Sequence, residues 1–260
     1  MELRETFDED AERYDRARPR YPAQVFDDLV AAGVPSGARV LEIGCGTGQA
    51  TVPLAERGYR IVAVELGADL ADVARRNLAG FGSVEVVTAA FEDWPLPSEP
   101  FDVVFSATAF HWIDPAVRVT KSADALRPGG LLATVGTHHI AGGTWTEPFF
   151  AEIQRCYQRF DPSTPPGLRL EGARDIAQDD RELTSSQRFG PASFHRYEWE
   201  LPYSTAAYLD VLLTYSGHRA LPDAQRNGLL HAIARLIDAD HGGQVVKRYL
   251  TELRTAQRVR

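Results

Sequence analysis

RVLEIGCGTGQA, residues 39–50, is the stretch of sequence that decides the fold. An apolar strand pattern leads into Glu42, glycines follow at positions 44, 46 and 48, and a helical pattern begins at once. A strand that turns sharply into a helix beside a ligand needs residues without a Cβ, because only these let the backbone come so close. The stretch therefore predicts a strand, a tight loop and a helix that together cradle a nucleotide-type ligand.

Two acidic residues narrow the class of ligand. A dinucleotide loop spaces its glycines as GxGxxG and admits a pyrophosphate at the helix N-terminus. Here the spacing is GxGxG, and Glu42 lies two residues before the first glycine, where a carboxylate repels a pyrophosphate and suits a cationic amino group. Glu65 lies 17 residues beyond Gly48 and closes the next strand pattern. A carboxylate there can accept both ribose hydroxyls of NAD or of an adenosyl ligand, although a surface glutamate explains Glu65 equally well.

Strand and helix patterns alternate along the chain, which predicts a parallel sheet built from βαβ units. We expect strands at 39–43, 60–65, 84–89, 101–107 and 131–136, and helices at 47–57, 68–79 and 115–126. The Pro-rich WPLPSEP after the third strand disfavours a helix. Later patterns predict a helix at 145–160, a strand at 194–201, helices at 205–216 and 222–239, and a last strand near 244–253 that is also compatible with a helix.

These patterns suggest one domain with an elaboration. Residues 1–136 would form an N-terminal segment and the cofactor-binding part, and 137–221 a cap or lid with one late strand. Residues 222–260 would return to the first domain as a helix and the last strand. The loop-rich segment 161–191 is uncommon in a compact domain unless it covers something, so we interpret it as part of the lid.

Composition limits the partners. With 28 basic and 36 acidic residues the net charge is -8, so nucleic acid is repelled on average. The locally basic stretch 247–260 could be an anionic-ligand patch, but we favour a solvated face. The two cysteines, Cys45 and Cys156, lack ligand spacing, so we expect no disulfide scaffold and no metal site. Without a signal peptide or an apolar run of ~20 residues, we expect a cytoplasmic monomer or homodimer that has no membrane partner.

Four stretches of the sequence resemble, in order, the successive motifs of class I S-adenosylmethionine-dependent methyltransferases. They are LEIGCGTG, VAVELG, AAFEDWPLPSEPFDVVFSATAFHWID and ALRPGGLLATV. The resemblance covers roughly residues 7–136 and is strongest for the small-molecule subgroup related to trans-aconitate methyltransferases. It implies an α/β fold with a Rossmann-like seven-stranded sheet, mostly parallel with an antiparallel C-terminal strand, and a helical and loop cap. It also implies S-adenosyl-L-methionine as cofactor, S-adenosyl-L-homocysteine as product, and in-line methyl transfer to an O or N atom of a small molecule.

The same resemblance implies cofactor-binding roles. Gly44, Cys45, Gly46 and Gly48 would line the methionine portion, with Glu42 near its ammonium. Glu65 would bind the ribose, Leu66 would flank the adenine, Phe91 and Glu92 would edge the adenine, and Ala107 would present backbone. The segment FDEDAERYDRARPRYP implicates Tyr14 and Arg18 in closing over the cofactor, with Arg18 on its carboxylate in a fork geometry; a solvated Arg18 is an equal alternative.

Residues on the acceptor side carry weaker signals. His111 could take a proton from a substrate hydroxyl, but we favour His111 and Trp112 as parts of the pocket wall, because methyl transfer needs positioning first. Tyr215 and His218 could face the substrate or form an exposed helix end. Adjacent residues on a strand face opposite ways, so at most one of His138 and His139 should point toward the pocket.

Two other functions remain open at this point. A nicotinamide oxidoreductase on a related fold is disfavoured by GxGxG, by Glu42 and by the lack of a Tyr-x-x-x-Lys pair. A non-catalytic adenosylmethionine-binding module would keep the same motifs, none of which is obviously broken.

Overall fold

The computed structural model describes residues 8, 10–143 and 146–259. Contacts between residues divide the chain into two compact units. The first unit comprises the chain up to Arg18 together with His138–Ala177 and Glu198–Leu250. The second unit comprises Pro19–Thr137, Gln178–Tyr197 and the chain from Thr251 onward.

The helices and strands alternate through the first half of the chain, as the sequence predicts. The described helices are α1 Ala11–Ala17, α2 Gln24–Ala31, α3 Thr51–Glu56, α4 Ala68–Asn77, α5 Pro115–Ala125, α6 Thr146–Phe160, α7 Arg181–Ser185, α8 Thr205–Leu212, α9 Ser216–Arg219 and α10 Asp223–Asp240. The strands are β1 Arg39–Ile43, β2 Arg60–Glu65, β3 Val84–Thr88, β4 Phe101–Ala107, β5 Leu126–His139, β6 Ser193–Ser204 and β7 Gln244–Gln257. Within the described residues, no helix combines the length and the apolar character needed to cross a membrane.

The strands form a seven-stranded sheet in the order β3-β2-β1-β4-β5-β7-β6. β1 pairs in parallel with β2 and β4, β2 with β3, and β4 with β5. β7 runs antiparallel to β5, because Arg258 N donates to Gly130 O near one end while Ile140 N donates to Arg248 O near the other. The predicted mixed, Rossmann-like sheet is therefore confirmed, and β7 is a strand rather than a helix.

The second unit buries both faces of its parallel strands. Successive residues alternate between two apolar clusters: Val40 and Val103 lie in one, while their neighbours Leu41 and Val104 lie in the other. Strand side chains point alternately to the two faces of a sheet, so a strand covered on both faces has a nearly continuous apolar sequence. This explains the run VLEI, in which Glu42 is the only polar residue.

The first unit has a separate core, formed largely by helices. Leu229, Ile233 and Ile237 recur every fourth residue on α10 and are fully buried, so they form one apolar stripe. Gly228 permits close packing there, because a Cβ at that position would lie 2.5 Å from Cε1 of Phe160. The core cluster also includes Phe149 and Ile153 of α6 and Tyr208 of α8.

The units differ from the division predicted from the sequence. The chain up to Arg18 groups with the first unit, where Arg13 pairs with Asp210 of α8 at 3.3 Å. α10 groups there too, because its apolar stripe packs in the helical core. Residues 178–197, predicted as lid and late strand, belong to the second unit. The helix predicted at 205–216 ends at Leu212. The helix predicted at 145–160 is described from residue 146, because Trp145 lies outside the described residues.

Candidate functional site

The glycine-rich loop follows β1 in the second unit and has the conformation that the sequence predicts. Gly44, Gly46 and Gly48 all have positive φ, at 70°, 57° and 88°, a region that residues with a Cβ rarely adopt. Gly44 also packs closely, because a Cβ there would lie 2.4 Å from Cβ of Ala109. The loop is anchored to α4 by Asn77, whose side-chain amide donates to Thr47 O at 2.9 Å. Gly44 and Gly46 are half-buried and Gly48 is buried, so the loop is a tightly packed turn whose backbone carries no side chain at these three positions.

Glu65 connects this loop to the end of β2. Its Oε2 accepts the backbone N–H of Gly46 at 2.8 Å, and its Oε1 accepts that of Gly67 at 2.9 Å. An ionised carboxylate has about four acceptor positions, which suits a group that binds backbone N–H groups as well as the hydroxyl groups of a ligand. The residue predicted to bind a ribose thus also fixes the loop beside it. Nothing in the sequence pattern indicates this second role.

Glu42 is a buried carboxylate below the loop. It is 1% exposed, and among the described residues its Oε2 has no hydrogen-bond partner. Burial, with a smaller contribution from the charge of Glu65, raises the pKa of Glu42 from 4.5 to about 7. Burial and the two carboxylates also raise the pKa of the Cys45 thiol well above its usual value. A cationic donor at this point would stabilise the ionised form of Glu42.

Glu42→Gln should change the pH dependence of stability in the ligand-free protein. The folded-state pKa is raised, so the cost of ionising Glu42 is absent below about pH 4.5, grows above it and is complete above about pH 7. Since one pKa unit corresponds to about 1.4 kcal/mol, the variant should gain about 3 kcal/mol over the natural chain between pH 4.5 and pH 8. Urea unfolding of both proteins at the two pH values measures this; an identical difference at both would contradict it.

Further residues border the loop from β4. Ala107 ends this strand and is 9% exposed. Thr108 follows with a positive φ of 55°, unusual for a residue with a branched side chain. Its backbone N–H donates to Val135 O at 2.7 Å, and its hydroxyl shares a 2.8 Å hydrogen bond with Tyr21. Tyr21 was not singled out from the sequence, since only the folded chain brings it to Thr108.

The residues predicted around an adenine differ in accessibility. Leu66 is 36% exposed, which leaves an apolar side chain available for stacking. Phe91 is 4% exposed and lies beneath the Lys121 ammonium, 5.2 Å from the ring centroid. Glu92 accepts the backbone N–H of Asp114 at 3.2 Å and is held by Lys121 through its carbonyl at 2.8 Å. Phe91 therefore supports the edge of the predicted adenine site from within the core.

His111 and Trp112 lie together in a short 3-10 helix after β4. Their ring centroids are 5.0 Å apart. His111 is exposed and Trp112 is half-buried. Burial of part of its ring and the nearby Arg118 charge lower the pKa of His111. The imidazole is therefore neutral at pH 7 and can form part of a wall or accept a proton.

Tyr14 and Arg18 belong to the first unit, together with Tyr215. Arg18 donates through Nη2 to Thr214 O at 2.9 Å. Its guanidinium carbon lies 5.0 Å from the ring centroid of Tyr14 and 4.6 Å from that of Tyr215. The structure thus brings two residues predicted for the cofactor to one predicted for the substrate. Their cofactor-binding role stays a prediction.

The first unit also contains a pocket of about 140 Å³, similar in size to the cavity of roughly 150 Å³ that holds one benzene ring. Its apolar lining includes Phe149, Phe150, Ile153, Tyr208 and Leu212. Of the three residues predicted to bind the substrate, Tyr215 and His218 line it, with ring centroids 5.8 Å apart, whereas Trp112 belongs to the second unit. Of the two neighbouring histidines, His139 lines the pocket and His138 is exposed, as strand alternation predicts.

The environment of Lys247 differs from the one that the sequence predicts. The basic stretch 247–260 predicts a solvated face, yet Lys247 is 8% exposed and lines the pocket. Its ammonium lies 3.3 Å from His139 Nε2 and 3.4 Å from the Tyr215 hydroxyl. The missed signal is strand alternation: Val245, Lys247 and Tyr249 share one face of β7, and all three are buried.

Comparisons with known proteins agree with these features. A family model described as a methyltransferase domain matches residues 41–134. An uncharacterized methyltransferase of Mycobacterium bovis is 38% identical over 224 residues, which cover 86% of this chain and 82% of the relative. An uncharacterized methyltransferase of Geobacillus kaustophilus is 32% identical over 146 residues, which cover 52% of this chain and 67% of the relative.

Solved structures share the fold. A protein of Anaeromyxobacter dehalogenans, provisionally assigned as a type II methyltransferase, is 26% identical with a TM-score of 0.63, over 93% of this chain and 98% of that one. An N-methyltransferase of Haemonchus contortus, solved with phosphomonomethylethanolamine and S-adenosylhomocysteine, is 16% identical with a TM-score of 0.56. That match covers 100% of this chain and 61% of the other, and at such identity it shows the fold alone.

Proposed function

Since the chain belongs to the class I S-adenosylmethionine-dependent methyltransferases, we propose that it methylates an oxygen or nitrogen atom of a small molecule. The observation that carries this proposal is the loop of Gly44, Gly46 and Gly48, which is flanked by two carboxylates, Glu42 and Glu65, in different environments. Glu42 is buried and Glu65 is oriented by backbone N–H groups. This arrangement suits a charged amino acid joined to a nucleoside.

The residues present fit S-adenosylmethionine. Glu42 Oε2 lacks a partner among the described residues and would hold the ammonium group. Glu65 would accept the ribose hydroxyls, and Leu66 would lie against the adenine. Gly44 would bring its backbone close to the methionine portion at a position where Ala109 excludes a side chain. When bound, the cofactor would supply a sulfonium methyl group for displacement by the acceptor oxygen or nitrogen, with S-adenosylhomocysteine as the leaving group and the acceptor proton passing to solvent.

The protein's own contribution is mainly positioning. An acceptor atom held in line about 3 Å from its target reacts far faster than one that must diffuse into place. The rigid strand ends and the fixed loop provide the frame for this. Trp112 would form a wall that limits the acceptor's orientations, and its aromatic face attracts cations.

His111→Gln should reduce kcat by less than about tenfold, because we assign His111 to the wall rather than to proton transfer, whose loss costs about 10²–10⁴ in rate. The shape of the kcat against pH profile should stay the same in the variant. Steady-state methylation measured from pH 6 to pH 9 tests this. A loss of 100-fold or more, together with a missing ionisation near the pKa of His111, would show that it acts as the base.

The proposed reaction is tested by transfer of radiolabel from methyl-labelled S-adenosylmethionine into a small-molecule fraction of a cell extract. We expect label in a compound extractable from protein and nucleic acid, with one S-adenosylhomocysteine formed per methyl transferred. The Glu65→Gln variant is the matched control and should give no signal. If the natural chain binds the cofactor but labels nothing, or labels only macromolecules, the proposal fails.

A further inference from the structure

The pocket of the first unit contains a buried lysine, Lys247, which is 8% exposed. The Lys247 ammonium lies 5.5 Å from the ring centroid of Tyr208 and 5.4 Å from those of Tyr215 and Tyr249. In the part of the chain that the structure describes, it forms no ion pair with a carboxylate. Its neighbour Arg248 does, with Glu198 at 2.7 Å. A buried ammonium without a carboxylate is costly unless something else neutralises it.

The groups that face Lys247 do not supply a negative charge. They are the phenols of Tyr208, Tyr215 and Tyr249 and the imidazoles of His139 and His218. Burial, with the Lys247 charge, lowers the pKa of His218 to about 4 and that of His139 still further. Burial also raises the pKa values of Tyr208 and Tyr249. At neutral pH the two histidines, Tyr208 and Tyr249 are therefore uncharged, so they can share hydrogen bonds with a ligand without neutralising an ammonium.

Arg18 adds to the positive potential. Its guanidinium lies against the Tyr215 ring, 4.6 Å from the centroid. Burial lowers the pKa of the Lys247 ammonium, and the charge of Arg18 makes a smaller contribution in the same direction. Asp161 is an acidic group that acts on His218, whereas the groups that act on Lys247 are Tyr215 and Arg18 and include no carboxylate. An anion that reaches the Lys247 ammonium would therefore be attracted to it.

We propose that this pocket binds a small monocarboxylate with an apolar or aromatic body, its carboxylate on Lys247. The site lies within the first unit, so the inference goes beyond the proposed function and does not depend on methyl transfer. One ammonium neutralises one carboxylate, and the walls of Phe149, Phe150 and Leu212 suit a ring or an alkyl chain. A tricarboxylate of the trans-aconitate kind would place further charges against these apolar walls, which is unfavourable.

The test is direct binding, measured by calorimetry on the full chain without cofactor. The probes are benzoate, phenylacetate and 4-phenylbutyrate, each beside its primary amide, with citrate as the polyanion. We expect the best acid to bind at least tenfold more tightly than its amide, and citrate to bind more weakly than any of the three acids. An amide that binds as well as its acid, or citrate as the tightest ligand, would overturn the inference.

Variants at Lys247 locate the site. Lys247→Met should weaken the acid at least tenfold and leave the amide unchanged, while Lys247→Arg should retain the acid. In the natural chain acid affinity should fall as pH rises through the pKa of Lys247, and in the Lys247→Arg variant it should not. Arg235→Gln is the matched control, because it removes an exposed positive charge of the same unit outside the pocket lining, and it should change acid affinity less than threefold. If Arg235→Gln weakens the acid as much as Lys247→Met does, the assignment to Lys247 is wrong.

The same samples separate this inference from the proposed function. Each variant is also titrated with S-adenosylhomocysteine, whose affinity should equal that of the natural chain and so show that the variant is folded. If the cofactor product binds and no acid does, only the inference about this pocket fails. If an acid binds and the cofactor product does not, the proposed function fails.

Discussion

Glu65→Gln should weaken the binding of S-adenosylhomocysteine by about 100-fold or more. Two charge-assisted hydrogen bonds to a ribose contribute about 1.5–3 kcal/mol each, and a loss of about 3 kcal/mol in total corresponds to a factor of about 150. The substitution also disturbs the loop. A glutamine can accept from only one of the N–H groups of Gly46 and Gly67, and its own amide N–H₂ would oppose the other.

Calorimetric titration with the cofactor product measures this effect. Glu85→Gln is the control, because Glu85 is an exposed carboxylate on the neighbouring strand β3 and should leave the affinity unchanged. Far-UV circular dichroism of both variants establishes that they are folded. A Glu65→Gln protein that binds within fivefold of the natural chain would remove Glu65 from the site.

Gly44→Ala should abolish detectable cofactor binding and lower the thermal midpoint. An alanine at a φ of 70° costs about 1–2 kcal/mol in backbone strain. Its Cβ would in addition lie 2.4 Å from Cβ of Ala109, so the end of β1 or the segment after β4 must move. Both border the cofactor loop, and we therefore expect affinity for S-adenosylhomocysteine to fall by more than 100-fold.

Gly37→Ala is the control that separates the effect of backbone strain at a positive φ from the effect of the steric clash with Ala109. Gly37 has a φ of 80°, but a Cβ there would meet nothing within 4 Å. It should therefore show the strain alone, a loss of roughly 2–8 °C in the midpoint given about 2–4 °C per kcal/mol for a chain of this size. Its cofactor affinity should be unchanged. Equal midpoints and equal affinities in the two variants would show that the contact with Ala109 is unimportant.

The fold was largely predictable because its parallel strands are buried on both faces. Such strands give short, continuous apolar runs between helices, and β1, β2 and β4 have the bounds that the sequence predicts. The last strand was ambiguous, since VVKRYLTELRTAQR suits both periods. Tertiary pairing with β5 decides it.

The division into units was less predictable, because it depends on which apolar faces meet. α10 has a clear stripe of Leu229, Ile233 and Ile237, but its sequence does not say which surface covers that stripe. The structure places it against α6 and α8 in the first unit. α1 joins the same unit through a pair of residues almost 200 positions apart, Arg13 and Asp210. Neither contact leaves a local signal.

The residues of the candidate sites also differ in how well the sequence predicts them. Gly44, Gly46, Gly48 and Glu65 were identifiable because a loop that passes close to a ligand restricts residue type and spacing. Lys247 was not, since a lysine in a basic stretch is usually solvated. Only its place on the buried face of β7, opposite the helices that complete the pocket, gives the residue its environment.

The central claim is that the glycine loop with Glu42 and Glu65 forms a site for an adenosyl amino acid. Calorimetric titration of the natural chain with S-adenosylhomocysteine, and separately with NADH, tests it most directly. We predict one saturable site per chain for S-adenosylhomocysteine and no binding of NADH. Saturable binding of NADH with none of S-adenosylhomocysteine would contradict the account.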